Sequence, residues 1–142
     1  MSTKETLITK LENGRAEFAY KCAEEAIKRL NEKRKKEYRS YTRKIPMMVL
    51  SNGLGQTLVF IKAKSNDGNV YELIYDQITR YFKESYAPSR VKMPSNENEL
   101  IKWVISCDST TYRYITQDLL AFLNWLRRFA EGMIEPEEGG QE

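Results

Sequence analysis

Lys35, Arg39 and Arg43 fall at successive four-residue steps with no acid interleaved on that register. In a helix these three cations stack along one ridge and repel one another, a small cost that an opposing anion would remove. Tyr38 and Tyr41 lie nearby, as aromatic residues often do beside the basic ridges of nucleic-acid-binding proteins. The chemistry on offer is polyanion binding. A plainer explanation competes with it, because a basic ridge on an isolated helix is usually just solvated. Residues 21–44 carry ten basic side chains against four acidic ones, although the whole chain is only +3. Part of that excess is ordinary, since Glu17 and Lys21, Glu24 and Lys28, Glu25 and Arg29, and Glu32 and Lys36 all stand in the favourable i, i+4 order.

The composition excludes more chemistry than it offers. The chain contains no histidine, so it has no Ser/His or Cys/His nucleophile pair, no imidazole acid or base and none of the common histidine-containing zinc sites. Carboxylate chemistry remains open, but the acids are scattered and mostly sit beside lysine or arginine at helical spacing. Neither GxGxxG nor GxxxxGK[ST] occurs, so no phosphate loop is indicated. No catalytic residue, metal or cofactor is therefore expected. Cys22 and Cys107 sit among apolar neighbours without CxxC spacing and read as buried free thiols. No apolar run reaches the roughly 18 residues of a membrane span, and no signal-peptide pattern opens the chain, so a cytoplasmic protein without membrane contact is expected.

The elements that must carry these side chains are helical. Leu119, Phe122, Leu126, Phe129 and Met133 recur at alternating steps of three and four, and Leu120, Leu123, Trp125 and Ala130 widen the stripe. A helix so broadly apolar must be buried on more than one side. Ile8, Leu11, Phe18, Cys22, Ala26 and Leu30 mark one face of a long helix from about Lys4 to the mid-thirties, with Arg15 on the same stripe. An arginine there either snorkels outward or pairs with a carboxylate from a facing helix.

Residues 36–50 form a second segment in which Pro46 predicts a kink or restart, and Asn52 with Gly53 supplies a stop. A short apolar helix over residues 54–63 follows, then a turn at 65–69. Asn69 with Glu72 caps a helix carrying Val70, Leu73, Ile74, Ile78, Tyr81 and Phe82. Pro88 and Pro94 enclose a loop, and Asn96 with Glu99 repeats the capping pattern before Leu100, Trp103, Val104 and Cys107. The last helix starts at Ser109 or near Thr116 and Asp118. Residues 58–62 and 70–75 could be strands by propensity, but the first does not alternate cleanly and the second continues at helical period. The expected fold is all-α, a single bundle of about five to seven helices over residues 1–134 with a frayed acidic tail at 135–142.

Four blocks recur in the same order in a known family. They are R-A-x-x-A-Y at residues 15–20, K-x-P at 44–46 followed by N-G-L at 52–54, L-V-F-x-x-A-K at 58–64, and Y-R-x-x-T-x-x-x-L-x-F-L-x-W-L-R-R-F-A-E-G at 112–132. In these the chain resembles the small subunit of the Cmr complex, the type III-B CRISPR effector that targets RNA in antiviral defence. The resemblance implies a compact all-helical protein without catalytic activity, copies of which stack as a minor filament. Its implied partners are further copies of itself, the RAMP-type backbone subunits, the large polymerase-like subunit, the guide RNA and the target RNA. Lys44, Lys62, Lys64 and Arg113 lie in the matching blocks and become RNA-facing candidates. Lys35, Arg39 and Arg43 join them on the charge argument alone. Two other classes stay open: a helical adaptor that binds only protein, and a carboxylate-dependent nuclease.

Overall fold

A computed structural model describes residues 3–84 and 91–136, with side chains from residue 9 onward. The described residues form six α-helices and no strand: α1 (Thr3–Arg29), α2 (Glu32–Asn52), α3 (Leu54–Lys64), α4 (Val70–Lys83), α5 (Leu100–Ser106) and α6 (Ser109–Met133). The fold is a single all-α domain. Residues 137–142 of the acidic tail and residues 85–90 of the loop lie outside the described residues.

Helix α6 packs against both α1 and α2, which is why its apolar stripe is so wide. Burial centres on Ile115, Leu119, Phe122, Leu123, Leu126 and Ala130, while Leu120, Trp125, Phe129 and Met133 are only partly covered at its edges. An aromatic chain runs through the core from α1 and α6 into α4 and α5. Tyr81 stacks on Phe122 with centroids 4.4 Å apart, Phe18 touches both, and Phe82 continues to Trp103 at 5.6 Å. Such pairs add about 0.5–1.5 kcal/mol each beyond their buried area.

Two polar ties cross this core. Arg15 of α1 is buried, and its guanidinium donates to Asp118 of α6 at 2.5 Å and to the Tyr81 hydroxyl at 3.1 Å. Of the two outcomes expected for an arginine on that stripe, pairing is the one that occurs. Burial disfavours the charge, but the hydrogen bond to Tyr81 and the neighbouring Asp118 outweigh it and hold the guanidinium above its usual pKa. Burial, followed by the nearby Asp118 charge, pushes the Tyr81 hydroxyl up as well. In the second tie Gln77 of α4 accepts from the Tyr38 hydroxyl at 2.7 Å and donates to the Cys22 carbonyl at 2.9 Å. One amide thereby joins α1, α2 and α4, and no polar atom of its side chain is left unpaired in the core.

The helix boundaries correct two expectations and rule out one of the two alternatives at Pro46. The first helix does not run into the mid-thirties: it ends at Arg29, and Asn31 opens α2 by accepting the Arg34 amide at 2.8 Å. Asparagine offers the backbone this local alternative, which outweighs the continuing apolar period at Leu30. Helix α2 then passes through Pro46 as one element, so there is no restart; Tyr38, Thr42, Ile45 and Val49 are buried on one face along it. Asn96 caps nothing, because α5 starts at Leu100 and the Glu97 carboxylate takes the amides of Asn98 and Glu99 instead.

Other punctuation is as expected. Gly53, at φ 87° and ψ 162°, ends α2 with its amide on the Val49 carbonyl, and α3 follows at once. Asn69 accepts the Glu72 amide at 3.0 Å and donates to the Lys64 carbonyl at 2.8 Å, so one side chain both closes the turn and opens α4. Helix α6 begins at Ser109, the earlier of the two starts considered, capped by Asp108 on the Thr111 amide.

Candidate nucleic-acid interface

The seven candidate cations do not form one patch. Successive residues of a helix are rotated by about 100°, so Arg43 and Lys44 must leave α2 on different flanks. The flank of Lys35, Arg39 and Arg43 turns toward α6. There Arg43 approaches Glu131 at 3.9 Å, Lys35 pairs with Glu32 at 2.9 Å, and Arg39 is half-buried. The ridge that lacks acids in sequence thus acquires them in space, one from its own first turn and one from α6. Of the i, i+4 pairs, Glu17–Lys21 and Glu25–Arg29 form at 3.1 and 2.9 Å, whereas Glu32 turns to Lys35 at i+3 rather than to Lys36.

Lys44 leaves on the other flank and meets three aromatic rings, one from each of three helices. Its ammonium lies 4.9 Å from the Tyr41 centroid, 5.8 Å from that of Tyr71 and 5.9 Å from that of Phe60, and it donates to the Tyr71 hydroxyl at 3.2 Å. The rings support one another. Tyr41 and Tyr71 stack at 4.3 Å with planes 15° apart, and Phe60 meets Tyr71 edge-on at 5.8 Å. Lys64 reaches the outer side of the same group, 5.8 Å from Phe60. Both lysines are exposed, so each cation–π contact contributes about 0.5–1 kcal/mol while the charge stays available to solvent or to an anion.

Lys62 sits on the opposite flank of α3, 4.8 Å over Tyr75, whose hydroxyl donates to Glu99 at 2.9 Å and accepts the Ile101 amide at 3.3 Å. Burial, followed by the Glu99 hydrogen bond, raises the pKa of that phenol. Arg113 is exposed in the first turns of α6, next to Tyr112, whose hydroxyl accepts the Gly55 amide at 2.8 Å. That contact is at the Gly53 end of α2, while Arg34 touches the Gly68 carbonyl at the other end, and a 21-residue helix spans about 30 Å. Of the candidates taken from the matching blocks, only Lys44 and Lys64 share a surface.

Sequence reasoning missed part of this surface. Tyr38 is fully buried and belongs to the Gln77 tie, so of the two tyrosines near the ridge only Tyr41 takes part. Tyr71 reads as an ordinary helix-face residue, and Phe60 stands in the 58–64 block, but nothing local marks either as a support for Lys44. Lys33 and Arg34 line a groove of about 530 Å³ with Lys64, Tyr41 and Tyr71, yet in sequence they are lost in the run of four cations at 33–36. Among the described residues no three His, Cys, Asp or Glu side chains gather as a metal site, and Cys22 and Cys107 are free thiols, the first buried and the second half-buried. No helix of the described residues is long and apolar enough to cross a membrane.

Known proteins share both the sequence pattern and the fold. The family described as CRISPR-associated protein (Cas_Cmr5) matches residues 11–133. The crystal structure of a CRISPR-associated Cmr5 family protein from Thermus thermophilus superposes with a TM-score of 0.67 at 24% identity, over 87% of this chain and 97% of that one. The fold is therefore shared across nearly the whole of that protein, and the match over residues 11–133 takes in α2, α3 and α4, which build the aromatic–lysine surface, so the chain belongs to the Cas_Cmr5 family of CRISPR-associated proteins.

Proposed function

We propose that, within the Cmr complex that its family membership implies, the chain is a non-catalytic structural subunit that stacks with further copies as a minor filament and supports guide RNA and target RNA. The observation that carries the RNA part is the pair Lys44 and Lys64, two exposed ammonium groups fixed on a shared aromatic support. Fixed cations neutralise backbone phosphate and release its counterions without reading sequence. Base pairing of the guide supplies the specificity.

The other flank of α2 suits protein contact. Met47 and Leu50 are 66% and 73% exposed there, close in register to Arg43. Single exposed apolar side chains are ordinary, but two neighbouring ones offer an apolar patch that a protein partner can cover. A filament needs heterologous contacts, with one surface of each copy fitting a different surface of the next. These two residues also favour the second reading, a helical adaptor that binds protein and leaves its lysines solvated.

Binding of labelled RNA to the purified chain across a salt series separates the two readings. The charge-reversal variant Lys44→Glu/Lys62→Glu/Lys64→Glu is expected to lose most of the binding and to flatten its salt dependence by about 0.7 in log–log slope per lost phosphate contact on single strands. Equal and negligible binding by both proteins supports the adaptor. Metal-dependent RNA cleavage by the chain, abolished by substitution of one Asp or Glu, supports a nuclease and overturns the proposal.

A further inference from the structure

The groove at the Asn31 end of α2 gathers positive charge from separate elements. Lys33 and Arg34 come from the first turn of α2 and Lys64 from the last turn of α3, and a single carboxylate, Glu37, lines the same space. Among the described residues neither Lys33 nor Lys64 forms an ion pair, and the Arg34 guanidinium makes only a long bond of 3.3 Å to the Gly68 carbonyl. Three cations lining one groove repel one another, a cost that Glu37 and solvent screening offset in part and that a bound anion would lower further. A second groove, of about 450 Å³ between α1 and α4, makes the contrast: there three carboxylates face four cations and the site nearly neutralises itself.

From this arrangement we infer that the Lys33–Arg34–Lys64 groove seats a phosphodiester of an RNA strand whose path continues over Lys44. Its volume of about 530 Å³ lies within the usual 300–1,000 Å³ of small-ligand sites, far more than one inorganic ion fills. The stacked Tyr41–Tyr71 pair forms its wall, an apolar flank for the sugar or base attached to that phosphate. Lys64 belongs both to the groove and to the aromatic support of Lys44, so the two cationic surfaces are continuous. The inference rests on the RNA-supporting reading above and adds Lys33 and Arg34, which that reading does not use.

The test is fluorescence anisotropy of a labelled oligouridylate with the full chain over a salt series. Its comparison proteins are Lys33→Gln/Arg34→Gln and, as an equal-charge control, Lys92→Gln/Lys102→Gln, which removes two exposed lysines that do not line the groove. The groove variant is expected to weaken binding by about tenfold or more and to lower the log–log salt slope by about 1.4, two contacts at about 0.7 each, with the control much closer to wild type. Equal losses in both variants overturn the groove and leave the RNA reading on the aromatic-supported Lys44 and Lys64 alone. Displacement of the oligomer by uridine monophosphate or inorganic phosphate at matching concentration of phosphate groups overturns the strand assignment in favour of a small-anion site. Absence of binding by the wild-type chain overturns both the groove and the reading beneath it. Thermal melts of each variant confirm that the folded proteins are being compared.

Discussion

Replacing Arg15 by methionine tests the principal polar tie of the bundle. The substitution keeps most of the side-chain volume but strands the Asp118 carboxylate, whose side chain is only 6% exposed, and removes a bond to the buried Tyr81 hydroxyl. Glu12 is not stranded in the same way, because it is 44% exposed and still accepts from the Trp125 indole at 3.1 Å. Removing one partner of a buried ion pair costs about 3–5 kcal/mol. Against a total stability of about 5–15 kcal/mol this is a large fraction. In urea denaturation, with a slope of about 2 kcal/mol/M, the midpoint of Arg15→Met should fall by about 2 M. The double variant Arg15→Met/Asp118→Leu removes both charges, so it should recover at least half of that loss, as replacing a buried pair with apolar residues is often neutral. A midpoint shift under about 0.5 M for the single variant, or a double variant as unstable as the two single losses added together, would refute the claim that this pair is a coupled buried contact.

Three further outcomes follow from local features. Gly53→Ala should cost about 1–3 kcal/mol in the same denaturation assay, because φ 87° with ψ 162° is a region that glycine alone occupies readily; an unchanged midpoint would contradict it. Burial works against the Glu25 carboxylate, but hydrogen bonds from Arg80, Gln77 and Arg29 outweigh it and hold its pKa below the ordinary 4.5. Its contribution is therefore complete above about pH 4.5 and is lost as pH falls through the lower folded value, so in urea denaturation over a pH series Glu25→Gln should be less stable than wild type by a constant amount above that pH and the difference should shrink as pH falls; an equal difference at every pH would contradict it. Burial pushes the Cys22 thiol up to about 12, so iodoacetamide should modify Cys107 first in the folded chain and reach Cys22 only on unfolding, as peptide mass mapping would report.

What the sequence discloses is local. The glycine stop at Gly53 and the cap at Asn69 act within a few residues, and each appears where its residue type requires it. The break at Leu30–Asn31 is hidden because Leu30 continues the apolar period of α1 while Asn31 quietly offers a cap. At Asn96 the same residue type misleads, since the neighbouring Glu97 carboxylate takes the amides first. Contacts between distant residues leave no local trace. Asp118 is 103 residues from Arg15, so the chain can suggest that Arg15 needs a carboxylate without indicating which one. The same holds for the candidate interface: Lys44 is marked by its block, but its aromatic support is assembled from three helices. The ridge at Lys35, Arg39 and Arg43 is visible as a pattern, whereas the acid of α6 that faces Arg43 is not.

Assembly of the Cmr particle with and without this chain tests the central claim most directly. Particles reconstituted from the backbone subunits, the large subunit and guide RNA would be sized, and their protection of bound guide and target RNA from an added nuclease measured. With the chain present, a longer particle holding several copies and shielding its RNA is expected, and Lys44→Glu/Lys62→Glu/Lys64→Glu should assemble yet shield poorly. Particles of the same size and with the same RNA protection when the chain is left out would contradict the account.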